Sequence, residues 1–183
     1  MPEMSSRRVV LVLGGVRSGK SRYAQELAAH GKRVALIATA EAGDDDMRRR
    51  IARHREERPV SWTTFEAPLG LEEALFEYGD KFDTILVDCL TVWTANVMRH
   101  EPSDDAVLSR VDRLTKALGA VAASVILVSN EVGSGVVPAS ELGRNYRDLL
   151  GMVNQRIAAV AGEVVLLVAG CPLVVKQPVE VPA

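Results

Sequence analysis

Apolar positions follow two alternating patterns along the chain. Short unbroken runs of Val, Leu, Ile and Ala are typical of strands buried on both faces of a parallel sheet, and the longer amphipathic segments between them are typical of helices. The runs predict strands over 8–15, 33–40, 82–90, 124–133 and 163–170, with a short edge strand over 172–176. The amphipathic segments predict helices over 20–31, 69–79, 104–123 and 141–162. A further helix is predicted over 44–58, where the chain is rich in charged residues.

Strands that alternate with helices predict an α/β fold with a mainly parallel central sheet between layers of helices. A length of 183 residues fits one domain over 1–183, with 1–6 and 177–183 as frayed ends. In such sheets ligands bind outside the carboxyl ends of the strands, so the loops that begin there are expected to line one site. These loops begin at Gly14, Thr39, Asp88 and Asn130.

The composition narrows the class of protein. Hydrophobic residues make up 48% of the chain and aromatic residues only 4%, which predicts an aliphatic core. The 22 basic and 24 acidic side chains leave a net charge of −2, which argues against a nucleic-acid-coating protein. No apolar run approaches the ~18 residues of a membrane span, and Cys89 and Cys171 both lie in apolar stretches. We therefore expect a cytoplasmic protein whose two thiols are buried and reduced.

The stretch "GGVRSGKS" carries the first candidate chemistry. It matches G-x-x-x-x-G-K-[ST] between a predicted strand and a predicted helix, where backbone N–H groups and a helix N-terminus can bind phosphates. The predicted nucleotide contacts are Gly14, Gly15, Val16, Arg17, Ser18, Gly19, Lys20 and Ser21. Lys20 is expected to reach the β- and γ-phosphates, and the Ser21 hydroxyl to ligate Mg²⁺. The loop makes the expected fold a P-loop NTPase-like three-layer sandwich.

Two further strand ends carry polar residues that could serve such a site. Asp88 follows four apolar residues in "TILVD", and a carboxylate there is costly to bury without a cation or a donor. We interpret it as a Mg²⁺ ligand; the alternative is a helix cap or turn aspartate. The stretch "SNEVGSG" places Asn130 and Glu131 at another strand end, where they serve either turn chemistry or contact with substrate or metal.

The charged segment 44–58 contains a histidine on its apolar stripe. Met47, Ile51, His54 and Arg58 share one face at helical spacing. His54 could cover the edge of the core. Alternatively, a neutral imidazole is a good nucleophile toward phosphorus, and the guanidinium groups of Arg55 and Arg58 could orient phosphates.

Five stretches together resemble a known family over about Arg8 to Lys176. They are "GGVRSGKSRYAQ", "IATAEAGDDDMRRRIARHREERP", "LVDCLTVWTAN", "SNEVGSGVVP" and "RDLLGMVNQRIAAVAGEVVLLVAG". The chain resembles the bifunctional adenosylcobinamide kinase / adenosylcobinamide-phosphate guanylyltransferases of cobalamin biosynthesis. The second stretch, with His54 between "RI" and "RP", is more specific than the phosphate loop.

The resemblance implies two reactions. A nucleoside triphosphate, GTP or ATP, phosphorylates adenosylcobinamide; GTP then gives GMP to adenosylcobinamide phosphate through a GMP–histidine intermediate, forming adenosyl-GDP-cobinamide and pyrophosphate. It implies His54 and Lys20 as catalytic residues, Ser21 and Asp88 as Mg²⁺ ligands, and a homotrimer with sites between subunits. Beyond the phosphate loop, the implied nucleotide contacts are Thr39, Ala40, Glu41, Arg55, Glu56, Glu57, Arg58, Glu66 and Asp88.

Two other functions remain open at this point. A plain P-loop small-molecule kinase would use the arginine-rich helix as a lid over the γ-phosphate, and His54 would be structural. A non-catalytic nucleotide switch would use the same helix to bind partner proteins.

Overall fold

The computed structural model describes residues 7–41 and 59–177. Within these ranges the chain forms seven strands and five helices. In chain order they are β1 (Val9–Gly14), α1 (Lys20–Ala28), β2 (Val34–Ala38), β3 (Thr63–Glu66), α2 (Leu71–Tyr78), β4 (Thr84–Asp88), α3 (Leu90–His100), α4 (Asp104–Ala120), β5 (Ser124–Asn130), α5 (Glu141–Val160), β6 (Glu163–Val168) and β7 (Cys171–Lys176). The predicted helix 44–58 and, except for Gln177, the predicted frayed ends lie outside the described residues.

Two elements were not predicted, β3 and α3. Strand β3 is the short stretch "TTFE", whose threonines and glutamate are exposed, so it lacks the apolar run that marks the other strands. Helix α3 begins at Leu90, two residues after β4 ends at Asp88, so its first apolar residue continues the apolar run of that strand. The prediction of a strand over 82–90 was wrong in its last two residues for this reason, and β4 also begins two residues later than predicted, at Thr84.

The seven described strands form one sheet in the order β3-β2-β4-β5-β1-β6-β7. All neighbouring pairs are parallel except β6 and β7, which are antiparallel. Residue pairing brings the carboxyl ends level, with Gly14 opposite Asn130 and Ala38 opposite both Asp88 and Glu66. The predicted convergence of these strand ends on one edge is confirmed.

The core lies in two layers, one on each face of the sheet. Alternate residues of β1 point to opposite faces, with Val10 and Val12 packing against α1 and Leu11 packing against α2 to α5. This arrangement is the predicted three-layer sandwich. The core is aliphatic as expected, and Trp93 of α3 is the largest fully buried side chain among the described residues.

The cysteine prediction was half wrong. Both thiols are free, and Cys89 is partly buried at the end of β4. Cys171, however, is exposed. It begins strand β7, all six residues of which are exposed because this strand forms the uncovered edge of the described sheet. The apolar stretch therefore predicted the strand correctly but did not predict that its side chains are exposed.

Among residues 7–41 and 59–177, the helices are all too short or too polar to cross a membrane.

Candidate functional site

The phosphate loop joins β1 to α1 as the motif predicts. Gly19 precedes the helix with a φ of 92°, and Arg17 also has a positive φ, of 57°. No side chain caps the N-terminus of α1, whose first intrahelical bond runs from the Tyr23 N–H to the Gly19 carbonyl at 3.0 Å. The N–H groups of the first turn and the positive end of the helix dipole therefore face the loop, as an anion site requires.

Two glycines of the loop are needed for close backbone approach. A Cβ at Gly14 would overlap the Ser18 hydroxyl and lie 2.9 Å from the Leu167 carbonyl oxygen. A Cβ at Gly19 would lie 3.3 Å from the Cα of Gly170, in addition to the strain of its positive φ. The Gly170 N–H also donates to the Ser18 carbonyl at 2.9 Å, so the turn after β6 supports the loop.

Lys20 folds across the loop. Its Nζ donates to the Gly15 carbonyl at 3.1 Å, which closes the loop around the space where phosphates are expected. Its positive charge also acts on the Cys89 thiol and is one of the influences that lower the pKa of that group. The charge of Lys20 therefore reaches the end of β4, although β5 lies between strands β1 and β4.

The end of β4 is fixed to the end of β2 by Thr39. The Thr39 N–H donates to the Asp88 carbonyl at 3.1 Å, while its hydroxyl donates to the Cys89 carbonyl at 2.8 Å and accepts from the Cys89 N–H at 2.9 Å. Thr39 is fully buried. Its N–H thus holds Asp88 in place, and its hydroxyl is committed to Cys89.

Cys89 and Tyr146 are held neutral beside the site. Burial, with the adjacent charge of Asp88, raises the pKa of Cys89 to about 11. Burial, and then Cys89, raise the pKa of Tyr146 to about 12. At neutral pH neither group supplies an anionic nucleophile.

The raised pKa predicts a slow thiol at position 89. In a Cys171→Ser protein at pH 8, we expect the remaining thiol to react with iodoacetamide about 100-fold more slowly than an ordinary cysteine, because only the thiolate attacks. Since the folded pKa is raised, the rate should climb steadily between pH 8 and pH 11. Mass spectrometry of timed samples measures the rate, and the same protein unfolded in urea is the control. Rapid modification at pH 8 in the folded protein would contradict the prediction.

A second set of hydrogen bonds fixes the end of β5. The Asn130 N–H donates to the Thr91 hydroxyl at 2.7 Å, and the Asn130 carbonyl accepts from Asn154 Nδ2 at 3.0 Å. Asn154 Oδ1 in turn accepts from the Ser129 hydroxyl at 2.7 Å, and the Tyr146 hydroxyl donates to the Thr91 carbonyl at 2.9 Å. Helices α3 and α5 therefore hold this strand end jointly.

Glu131 takes part in turn chemistry, one of the two roles that its position left open. Its carboxylate accepts from the Gly133 N–H at 2.7 Å and from the Ser134 N–H at 3.2 Å. Partial burial would raise the pKa of Glu131, but these hydrogen bonds outweigh it and lower the pKa. Its N–H donates to the Gly14 carbonyl at 3.2 Å, which ties the turn to the phosphate loop.

The carboxyl ends of β2 and β3 lie side by side, three and four strand positions from the phosphate loop that follows β1. Glu66 pairs with Ala38, and the Ala67 N–H donates to the Ala38 carbonyl at 2.9 Å. Glu41 lies 3.7 Å from Arg99 of α3 in an exposed ion pair. The structure thus places the predicted contacts Thr39, Ala40, Glu41 and Glu66 together.

Five predicted site residues, His54, Arg55, Glu56, Glu57 and Arg58, lie outside the described residues. The polar residues of α3 were not predicted as part of the site, because the helix itself was not predicted. Thr91, Asn96 and Arg99 all bond to strand ends of the site or to each other. The stretch "LVDCLTVWTAN" carries a signal for them, because polar residues follow Asp88 at helical spacing.

Comparison with known proteins identifies relatives over nearly the whole chain. The family described as cobinamide kinase / cobinamide phosphate guanyltransferase matches residues 10–175. The bifunctional adenosylcobalamin biosynthesis protein CobP of Pseudomonas aeruginosa is 46% identical over 167 residues, which cover 91% of this chain and 96% of the relative. CobU proteins of the same description from Escherichia coli and Salmonella typhimurium are 37% and 38% identical over 180 residues, covering 92% of this chain and 99% of each relative.

Solved structures with low sequence identity share the fold. An ATPase of the type III secretion system of pathogenic bacteria aligns with a TM-score of 0.56 at 12% identity, covering 87% of this chain and 50% of the ATPase. A protein from Pyrococcus horikoshii aligns with a TM-score of 0.54 at 9% identity, covering 94% of this chain and 88% of that one. The likeness to an ATPase supports the predicted P-loop NTPase-like fold.

Proposed function

Because the chain belongs to the cobinamide kinase / cobinamide phosphate guanyltransferase family, we propose that it carries out both reactions on adenosylcobinamide. A nucleoside triphosphate phosphorylates the substrate hydroxyl, and GTP then transfers GMP to the new phosphate. The observation that carries the proposal is the complete phosphate loop Gly14–Ser21 at an edge shared with Asp88, within a chain that matches the family from 10 to 175.

In the first step the phosphate loop holds the triphosphate while the substrate hydroxyl attacks the γ-phosphorus. The new O–P bond forms as the bond to the β-phosphate oxygen breaks, the nucleoside diphosphate leaves, and the hydroxyl proton is released. The Lys20 ammonium exchanges the Gly15 carbonyl for the β- and γ-phosphate oxygens and stabilises the charge there. Positioning and charge stabilisation supply the catalysis.

Mg²⁺ fits the donors at this edge. The Ser21 hydroxyl in the first turn of α1 and the Asp88 carboxylate at the end of β4 are both half-buried hard oxygen donors. A Mg²⁺ ion commonly takes one or two such protein oxygens together with phosphate oxygens. When bound, it would neutralise charge on the phosphates.

In the second step His54 attacks the α-phosphorus of GTP, and the bond to pyrophosphate breaks. The pyrophosphate leaves on the phosphate-loop side, where Lys20 and the N-terminus of α1 stabilise its charge. A phosphate oxygen of adenosylcobinamide phosphate then attacks the same phosphorus, the N–P bond breaks, and His54 is restored. The resemblance and the phosphate loop support this route, with Arg55 and Arg58 orienting phosphates and Glu56 and Glu57 beside them.

The nucleoside part of the nucleotide binds at the ends of β2 and β3. These strands are three and four positions from β1 in the sheet, about 14 and 19 Å away. Because the hydroxyl of Thr39 is committed to Cys89, the residues that this turn offers to a nucleotide are Ala40 and the exposed Glu41, with Glu66 beside them.

The test is a product analysis. The protein is incubated with adenosylcobinamide, Mg²⁺ and either GTP or ATP, and the corrinoids are identified by mass spectrometry. We expect adenosyl-GDP-cobinamide only with GTP, and adenosylcobinamide phosphate as its precursor. Adenosylcobinamide phosphate alone, with either nucleotide, would favour the plain kinase; neither product would favour the nucleotide switch.

The proposed enzyme is a homotrimer. It acts in the cytoplasm, where both GTP and ATP are available. The resemblance implies the trimer, and the described edge strand β7 supports an interface because Leu173, Val174 and Val175 are exposed apolar side chains on it. Sedimentation equilibrium measures the state, and a monomer at micromolar concentration would contradict it.

A further inference from the structure

Asn96 of helix α3 lies buried beneath the ends of β2 and β3. It is only 1% exposed, although its side chain is a polar amide. A buried amide is costly unless its hydrogen-bonding groups are satisfied, so its partners indicate what the residue is for.

The partners of Asn96 are the turns that follow the two strands. Asn96 Nδ2 donates to the Thr39 carbonyl at 2.8 Å, just beyond β2, and to the Pro68 carbonyl at 3.2 Å, just beyond β3. The two N–H groups of one planar amide therefore link two chain segments that lie side by side at this edge of the sheet. The separation of the two carbonyls is set by the geometry of that amide.

The remaining acceptor of the amide extends the link to the surface. Asn96 Oδ1 accepts from Arg99 Nη2 at 2.6 Å, and Arg99 lies 3.7 Å from the Glu41 carboxylate. Trp93, one turn earlier on α3, donates from Nε1 to the Leu69 carbonyl at 2.9 Å. Helix α3 thus contacts both sides of the place where Ala40, Glu41 and Glu66 converge.

We propose that Asn96 is a positioning residue for the nucleoside end of the nucleotide site, holding the turn of Thr39–Glu41 and the turn of Glu66–Pro68 at the spacing that a bound ribose and base require. The proposal rests on the nucleotide site proposed above. Asn96 touches no nucleotide itself and acts through the two carbonyls and through Arg99. The phosphate loop follows β1, three strand positions from β2, and its described hydrogen bonds do not involve Asn96, so phosphate binding by the loop alone, without Mg²⁺, does not depend on Asn96.

Calorimetric titration with two probes distinguishes binding at the nucleoside end of the site from binding at the phosphate loop. In titrations without Mg²⁺, GTP reports on both the phosphate loop and the nucleoside end of the site, and inorganic tripolyphosphate reports on the phosphate loop alone. The variant Asn96→Asp keeps the shape of the side chain but removes both donors and sets a carboxylate oxygen against two carbonyls. We expect it to weaken GTP binding about tenfold and to leave the affinity for tripolyphosphate unchanged.

Two further variants keep the test decisive. Val97→Ala removes a fully buried neighbour on the same helix and serves as the matched destabilised control: it should lower the melting temperature yet leave GTP affinity within about twofold of wild type. Arg99→Ala removes an exposed side chain with little risk to folding and should weaken GTP about threefold. GTP affinity unchanged in both Asn96→Asp and Arg99→Ala overturns the proposal. An equal loss for GTP and tripolyphosphate, or the same loss in Val97→Ala, also overturns it, because either shows a merely structural role.

Direct binding also separates this inference from the proposed function. A wild-type protein that binds GTP but forms neither corrinoid product overturns the proposed activity, while the selective loss of GTP affinity in Asn96→Asp still supports the positioning role. Full product formation together with unchanged GTP affinity in the variants overturns the positioning role alone.

Discussion

Replacing His54 by alanine is expected to abolish the retention of GMP by the protein and to lower GMP transfer by ~1,000-fold or more. The reason is chemical: the variant has no imidazole nitrogen at this position to form a bond to the α-phosphorus of GTP. Phosphorylation of adenosylcobinamide does not use this bond and should continue.

The measurement is retained label. The protein is incubated with GTP labelled at the α-phosphate, denatured and separated from free nucleotide. A phosphorus–nitrogen bond to histidine survives alkali and is lost in acid. The matched control is His30→Ala, because the His30 ring is exposed and lies 3.2 Å from the Leu27 carbonyl near the end of α1. Label retained by His54→Ala, or lost in His30→Ala, would contradict the assignment.

The second large effect is expected at Lys20. Replacing it with alanine should lower the rates of both reactions by ~100- to 1,000-fold, because its ammonium group stabilises charge on the β- and γ-phosphates in the first step and on departing pyrophosphate in the second. Its present hydrogen bond to the Gly15 carbonyl is exposed, so the loss of activity should come without a large change in melting temperature.

The control for Lys20→Ala is Lys32→Ala, which removes an exposed lysine outside the phosphate loop. Both rates are measured from product formation with saturating GTP and Mg²⁺. A loss confined to one reaction would show that the phosphate loop serves that reaction only, contrary to the shared role proposed here. Equal activity of Lys20→Ala and Lys32→Ala would show that Lys20 takes no part in either reaction.

The parts of the fold that could be predicted are those with a strong local pattern in the sequence. The unbroken apolar run of β1 and the glycines after it mark a buried strand and a phosphate loop within one short stretch. Strand β3 has no such run, because an edge strand needs little apolar surface. Cys171 shows the reverse case: its neighbours are apolar, yet nothing among the described residues covers that edge, so its exposure depends on the topology of the whole sheet.

The candidate site also has features that the sequence could predict and features that it could not. Parallel strands bring their carboxyl ends together, so the convergence of Gly14, Asp88 and Asn130 could be predicted from the strand pattern alone. The sequence could not tell which polar groups are already used within the protein. The Thr39 hydroxyl is bound to Cys89 and the Glu131 carboxylate to the turn after it, and both assignments depend on distances between separate chain segments.

The two tryptophans of the chain give the β2–β3 end of the sheet an optical signal of its own. Trp62 is half-buried immediately before β3 and packs in the same core layer as α1, whereas Trp93 is fully buried in the layer on the opposite face. The intrinsic tryptophan fluorescence of the unlabelled protein therefore arises from both faces of the sheet near β2 and β3. The phosphate loop after β1 contains no tryptophan. A polar or charged group arriving near Trp62 should shift its emission, while Trp93, bonded to the Leu69 carbonyl, provides a shielded internal reference.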